Sequence, residues 1–510
     1  MEDINQVQLK KLYERLIVNR DNFLNRAKEA SEITVPQLFP RIEDTSSTTF
    51  PTPYQSLGAR GVNNLANKII LSLFPPATAF FKLDANQAVK EGNGVTDGDM
   101  TKAMQVIEKS LVDEMEVSQL RSKLVEVIKQ CIVGGSSVLY IPNEDHPKVY
   151  SLFNFGIRRS KSGKMLQLVV REQLAFSELP ADVQSSIPEV SEDEKTGKKL
   201  LEIFTAVIRN EKGDYDTIQE VKGVKIKGSE GVYKEKEVPF IFVPFVDRGE
   251  DYARSYIEDF IGDIQSYEGL SKAILEGSAE SARIIYLIKQ NATLTPKKLQ
   301  TANSGEVLKG DIDDVGTLQA NKSLDLSVTQ KAAEELKRDL STLFLLDSAV
   351  RRDAERVTAE EIRRVSQELE TAFGGIYATL ANHLQEPLVR LYLKRLTKKG
   401  TIQDVVKNNV DLQITTGSAA LGRGTEFEAL SRFVNMAREL LGERVYDYLN
   451  VSETLQRGGY ALDVNTAGLV RTEEELQAQQ QIEQQQQLQQ QAVGPAINAA
   501  SQQQLAKEQG

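Results

Sequence analysis

Apolar residues recur at helical spacing near the start of the chain, where Leu9, Leu12, Leu16, Phe23 and Leu24 share a face within a helix predicted over 3–30. Pro36 and Pro40 end that pattern. A second helix is predicted from Tyr54 to Phe74, where Leu57, Leu65, Ile69, Ile70 and Leu73 are mixed with small residues and amides, up to Pro75-Pro76. A third, over about 99–132, stops at Gly134-Gly135. The period then drops to two. SSVLYIP, KVYSLFNFGIRR and, after a turn at SKSGK, MLQLVVREQ read as strands, LLEIFTAVIRN and DTIQEVKGVKIKG as meander strands, and VPFIFVPFV closes the region.

Helical spacing returns after Asp251. Tyr256, Ile257, Phe260, Ile261, Ile264, Tyr267, Leu270, Ile274 and Leu275 predict a helix running to about Ala282. Residues 284–326 read as a small mixed insert: IIYLIK a strand, TPKKLQTA a helical turn, GEVLKG a second strand and DIDDVGTLQANKS polar loops. A helix over about 328–346 leads to the charged segment DSAVRRDAERV. Thr358-Ala359-Glu360-Glu361 then forms a capping box that opens a helix continuing to Lys399. Forty helical residues would span about 60 Å, more than a compact domain needs, with bends expected at Gly374-Gly375 and Pro387. A strand (VDLQIT), a Gly-rich turn and a helical bundle follow to about Tyr460. From Thr472 the chain is Gln-rich, interrupted by Ile482 and Leu488, and partial disorder is expected there.

At 510 residues the chain is long enough for several domains of about 150 residues each. Its composition, 40% hydrophobic and 26% charged, is that of a globular protein, and no apolar run approaches the roughly 18 residues of a membrane span. The charged start MEDINQVQLKKLYERL lacks the pattern of a secretory signal, so residence in the cytoplasm is expected. A net charge of -11 is the wrong sign for a protein that coats nucleic acid, so any DNA contact must be local.

The chemistry-bearing patterns are few. Cys131 lies in the apolar run VIKQCIV and reads as a buried, inert thiol. His146 and His383 have no ligand partners at zinc spacing. Lys164 and Lys198 follow single glycines without the rest of a phosphate loop, and Gly422-Arg423-Gly424 lacks the third glycine of a dinucleotide fingerprint. Asp311, Asp313 and Asp314 have the oxygen donors a divalent ion needs but not the glycine and distal glutamate of a calcium loop; a solvated loop explains them as well. No nucleophile elbow is present, and no metal or other cofactor is expected. Arg351, Arg352 and Arg356, with Arg363 and Arg364 a turn into the next helix, form a cluster able to face phosphates. Neutralisation by Asp353, Glu355 and Glu360 is the competing reading.

GEDYARSYIEDFIGDIQSYEGLSKAILEGSAESA resembles the stem-entry segment of portal proteins, the head-to-tail connectors of short-tailed, podovirus-type bacteriophages. YQSLGARGVNNLANKIILSLFPP with FFKL, VTAEEIRRVSQELETAFGGIYATLANHLQEPLVRLYL, and GGYALDVNTAGLVRTEEELQAQQQ resemble further blocks of that family in the same order, with Ala253 standing where many relatives have glycine. The resemblance implies an α+β, predominantly helical fold: a wing over 1–251, stem helices over 252–283 and 327–346, and a clip over 284–326. It further implies a tunnel loop over 347–357, a long kinked wing helix over 358–400, a crown over 401–471 and the Gln-rich tail over 472–510. It implies a non-enzymatic subunit of a ring, usually twelve copies, at one capsid vertex, through which double-stranded DNA is packaged and ejected. Arg351, Arg352 and Arg356 would face that DNA, and Lys297, Lys298, Asp311, Asp313 and Asp314 would contact a packaging ATPase (terminase) and later tail adaptors. Capsid and scaffolding proteins are further implied partners, with assembly in the host cytoplasm and residence in the virion. A helical scaffold or assembly factor without a DNA channel accounts equally for the long helices and the Gln-rich tail, and a carboxylate-based metal hydrolase needs only the acids.

Overall fold

The computed structural model describes residues 7–40, 44, 47–75, 80–85, 97–283, 285–318, 323–346, 359–400, 410–414, 422–461 and 469–470. Where one N-terminal helix is expected there are two, α1 (Leu9–Ile17) and α2 (Asp21–Glu32). The break lets Arg20 turn inward. Its buried guanidinium donates to Tyr13 Oη (3.0 Å) and to the carbonyls of Leu152 (3.2 Å), Phe153 (3.0 Å) and Phe155 (3.1 Å). Those bonds are obligatory, because a desolvated charge without partners is strongly destabilising.

α3 (Leu57–Leu73) is followed by β1 (Phe81–Ala85), and the expected third helix is again two, α4 (Asp97–Val117) and α5 (Leu120–Gly134). Gln119 between them adopts a left-handed conformation (φ 58°), which no helix continues through. The break is packed, since the Ser118 hydroxyl meets Tyr392 Oη and the Ser118 carbonyl meets His146 Nδ1 at 3.1 Å. β2 (Ser136–Tyr140) and β3 (Lys148–Tyr150) follow, and the single strand expected through Arg159 is interrupted at the turn carrying the carbonyls that Arg20 binds.

An antiparallel sheet comprises β4 (Phe155–Arg159), β5 (Met165–Leu174), β6 (Leu201–Arg209), β7 (Tyr215–Val221) and β8 (Val224–Lys225), with β9 (Gly231–Tyr233) also paired to β7. Two short helices, α6 (Ala181–Ser186) and α7 (Glu192–Lys195), sit in the acidic stretch between β5 and β6. Alternation puts Val169, Phe204, Ala206, Ile208 and Ile218 on one face, where Leu9, Leu12, Tyr13 and Leu16 of α1 cover them. Glu220, buried on β7, accepts from Leu9 N at 2.9 Å and so places a carboxylate at the positive end of α1. β10 (Phe240–Pro244) returns to pair with β2 in a smaller sheet, order β10-β2-β3. Cys131 is fully buried behind it, its thiol donating to Val243 O at 3.3 Å and its pKa pushed up to about 12 by burial.

The remaining elements are α8 (Ile261–Ser281), β11 (Ile285–Ile288), α9 (Pro296–Thr301), β12 (Val315–Leu318) and α10 (Ser323–Leu343). The partner of β11 is not GEVLKG, which forms no strand, but Val315–Leu318 from the stretch expected to be loop; the register runs from Ile285↔Leu318 to Ile288↔Val315. The long helix is segmented into α11 (Ala359–Phe373), α12 (Gly375–Leu380), a π-type turn over Ala381–Gln385 and α13 (Glu386–Lys398). Gly374, at φ 41°, makes the first break. The wide turn precedes Pro387, whose ring and missing N–H are incompatible with a regular bond to the carbonyl four residues earlier.

β13 (Val410–Ile414) pairs antiparallel with β1, and contacts divide the chain into compact units 1–417 and 418–510. The strand grouped with residues 401–471 from sequence thus belongs to the first unit. In the second unit, α14 (Gly422–Leu441) packs on α15 (Val451–Ala461) and leaves Phe433, Met436 and Leu440 exposed. The main core of the first unit joins α3, α4, α5, β2, β10 and the segmented helix.

Arg159 at the end of β4 is buried and donates to Asp247 (2.6 and 3.0 Å), Gly163 O (3.1 Å) and Glu250 O (3.1 Å), with its plane over Phe242. Removing the cation strands Asp247, so Arg159→Met is expected to cost about 3 kcal/mol in chemical denaturation. The hydrogen bonds from Arg159 hold Asp247 below the usual carboxylate range, and burial followed by Arg159 lowers the His383 imidazole pKa. Both groups carry fewer protons when folded, so stability falls with acidification: from about pH 6.5 downward through His383, and below about pH 4 through Asp247. His383→Gln should flatten the upper part of that acid limb in a Tm-versus-pH series.

Candidate nucleic-acid interface and docking face

α8 and α10, each of 21 residues and about 31 Å long, are antiparallel: Tyr256, just before α8, reaches Leu343 at the end of α10, and Gly277 near the end of α8 lies against Leu326 near the start of α10. Their shared seam is narrow. On α10 the shielded positions are Leu326, Thr329, Ala333, Leu336, Leu340 and Leu343, alternating steps of three and four; on α8 they include Ile264, Tyr267, Ser271 and Ile274. The rest of each helix faces away from this seam. The outer faces of α8 carry Asp263, Glu268, Glu276 and Glu280 against Lys272, and α10 carries Glu334, Glu335 and Asp339 against Lys331, Lys337 and Arg338. Such a surface attracts no dense coat of phosphates.

Between the two helices, residues 285–318 form a hairpin with one short helix. Leu294 is its buried apolar residue, seated against Gly310, where a Cβ would overlap the leucine methyl. Ile285, Tyr286, Leu287, Val307 and Ile312 are exposed, the last two at 94% and 90%. An insert with that much uncovered apolar surface has the character of a contact surface.

Lys297 and Lys298 are exposed on α9. Asp311 caps the turn over Ile312–Asp314 by accepting from Asp313 N (3.1 Å), and Asp314 accepts from Thr293 N (3.1 Å) and Thr293 Oγ1 (3.3 Å). Asp311 and Asp314 thus brace the loop, and Asp313 is exposed. Among the described residues no ion pair joins the two lysines to the three aspartates, and all five belong to the insert between β11 and β12. Arg351, Arg352 and Arg356, together with Thr358 of the capping box, lie outside the described residues. Of the neighbouring arginines, Arg364 is exposed on α11.

The ends flanking the arginine segment are well held. Asn64 Nδ2 donates to Phe344 O (3.0 Å) and Leu345 O (3.1 Å), and Lys68 Nζ donates to Leu345 O (2.8 Å) while pairing with Glu368 on α11 (3.2 Å). Sequence reasoning passed over these residues. The signal was present as Gly61, Asn64 and Lys68, a small and polar stripe at steps of three and four within an otherwise apolar helix.

A family model described as "Bacteriophage head to tail connecting protein" matches residues 6–469. The chain belongs to this family. Its head-to-tail connector relatives include the portal protein of Escherichia phage T7, 36% identical over 479 residues (92% of this chain, 89% of the relative), and that of Enterobacteria phage T3, 37% over 480 residues (92% and 89%). The portal protein of Pseudomonas phage phiKMV is 27% identical over 467 residues, 89% of this chain and 90% of the relative. Among solved structures, the neck of a native GTA particle aligns over 79% of this chain and 89% of its own at 12% identity and a TM-score of 0.33. As a head-to-tail connector with relatives named portal proteins, the chain is a structural protein and not an enzyme, and its fold is α+β and predominantly helical.

Because Leu294 anchors the insert, Leu294→Ala should loosen it locally at a cost of about 2 kcal/mol or more. Hydrogen exchange of the β11 and β12 amides is expected to accelerate while that of α5 amides stays unchanged.

Proposed function

We propose that the chain is one subunit of a closed ring of twelve copies at a single capsid vertex, with a central channel through which duplex DNA is packaged and later ejected. The observation that carries this reading is the family match from residue 6 to residue 469, which takes in the helix pair, the insert and the segmented helix together. On this reading residues 1–251 are the wing, α8 and α10 the stem, residues 284–326 the clip, 347–357 the tunnel loop, 358–400 the long wing helix and 401–471 the crown. The uncovered faces of α8 and α10 and the exposed apolar residues of the insert support it, because a ring supplies the neighbours that a lone subunit lacks.

Arg351, Arg352 and Arg356 would then form rings of positive charge against passing phosphates. Their grip must stay weak enough for movement, and two features serve that end. The neighbouring stem is acidic, and a twelve-fold ring is out of register with a duplex of about 10.5 base pairs per turn, so the contacts engage in succession. With no phosphate loop in the sequence, force would come from a separate packaging ATPase docking on the clip, with Lys297, Lys298, Asp311, Asp313 and Asp314 as its contacts. Tail adaptors would use the same end after packaging, while capsid and scaffolding proteins would meet the wing during assembly in the host cytoplasm.

Native mass spectrometry and negative-stain imaging of the purified protein should show closed rings with a hole wide enough for duplex DNA; a persistent monomer or dimer across salt concentrations would favour the assembly-factor reading. Deleting 290–322 is expected to leave a ring that no longer recruits the packaging ATPase, and retained recruitment would remove the clip assignment.

A further inference from the structure

Between the β4–β5 turn, β10 and the π-type turn lies a cavity of about 380 Å³, at the small end of the roughly 300–1,000 Å³ of small-molecule sites. Met165, Val238, Phe240, Ile241, Phe242 and Pro387 supply its apolar wall. Most of the charges around it are committed to one another. Arg159 holds Asp247, Arg390 is paired with Glu386 (2.8 Å), and Lys164 (2.9 Å) and Arg209 (3.7 Å) share Glu235. Three lining groups are not committed: Lys236, Asn382 and His383 make no hydrogen bond or ion pair among the described residues. Lys236 and Asn382 are exposed and His383 is half-buried. The last two stand in the π-type turn, an irregularity frequent at functional sites. None of the three is an acid, and with Lys236 the cations around the cavity outnumber the carboxylates, in a chain whose net charge is -11.

We propose that this cavity binds a small organic anion: one acid group, carboxylate or phosphate, on a compact apolar body. The acid group takes its hydrogen bonds from among Lys236, Asn382 and His383, and the body lies against the apolar wall. Binding of this kind is linked to protons through His383. The charged groups that share the cavity with the imidazole are Arg159 and Lys164 of the β4–β5 hairpin, Glu235 and Lys236 before β10, and Glu386 and Arg390 of α13, with Asp247 behind Arg159. Hydrogen bonds from Arg159 and Lys164 hold Asp247 and Glu235 below the usual carboxylate range, and burial raises Tyr215 of β7, so these three keep their charge states near neutrality. Burial and then Arg159 lower the His383 pKa. A bound anion acts in the opposite direction, so binding takes up a proton and tightens as pH falls.

The chain has no tryptophan, so naphthalene fluorescence can be followed against little background. The probes are 2-naphthoate, 2-naphthyl phosphate and the neutral 2-naphthamide, titrated into the full-length protein. At about pH 6 the two anions are expected to bind about tenfold more tightly than the amide, a gap that narrows at about pH 8. Lys236→Ala should weaken the anions by about fivefold and leave the amide unchanged. His383→Gln should remove the pH dependence; if that variant does not fold, the exposed Lys236 still carries the test. Equal affinity for acid and amide overturns the proposal, as does an anion affinity that neither substitution alters, or no binding of either anion at millimolar concentration.

Discussion

A buried polar group must find its partner, and in this protein that rule acts most strongly along one face of α3. Gly61, Asn64, Lys68 and Ser72 form a stripe in a helix whose other positions are largely apolar and buried. Each determines where something else can go: Phe344 against Gly61, the end of α10 on Asn64 and Lys68, α11 on Lys68 through Glu368, and Tyr377 of α12 on the Ser72 hydroxyl at 2.6 Å. Gln385 in the π-type turn completes the series by donating to Leu73 O at the end of the same helix. Hydrophobic burial alone would hold these helices together without choosing their register. The polar stripe chooses it, because a slip of one residue would leave a charge and an amide without partners in the core.

The same logic explains what could be read from the sequence. Helices with a clear apolar period, such as α8 and α10, were legible because their seam is made of the residues that define the period. The strands of the larger sheet were legible by alternation. Breaks were harder. Gln119 ends a helix where Ser118 beside it meets Tyr392 of α13 through its hydroxyl and His146 through its carbonyl, and Arg20 ends another because of carbonyls more than 130 residues away in sequence. β12 was missed because its place is set by the backbone of β11 and not by its own polar residues. The pairing of β1 with β13 joins two short segments that both alternate apolar and polar residues, FKLDA and VDLQI, and alternation does not say which strand pairs with which.

At the functional site the legible part was charge and the illegible part was support. Arg351, Arg352 and Arg356 stand out as a cluster, which spacing alone leaves open between phosphate contact and local neutralisation, and phosphate contact is the reading proposed above. Asn64 and Lys68 do not stand out. A lysine in an apolar helix reads as a side chain stretching to solvent, and only the position of Leu345 O reveals that it stays inside.

The narrow seam between α8 and α10 has a consequence for how such a protein is stabilised. Two helices joined along a three-four repeat bury one edge of each, and for a pair about 31 Å long that contact is too thin to hold them rigid against bending. Their rigidity must come from the ends, and the ends are where the structure concentrates its polar bonds: Tyr256 to Leu343, Glu268 to the amides of Tyr54 and Gln55, Gln265 to Glu29, and the Asn64 and Lys68 contacts. Among the described residues the insert at the far end is held by the β11–β12 pairing, by Leu294 and by the bonds to Asp314, all within the insert itself. That far end carries the exposed apolar residues of the insert, surface that the neighbouring subunits of the proposed ring would cover.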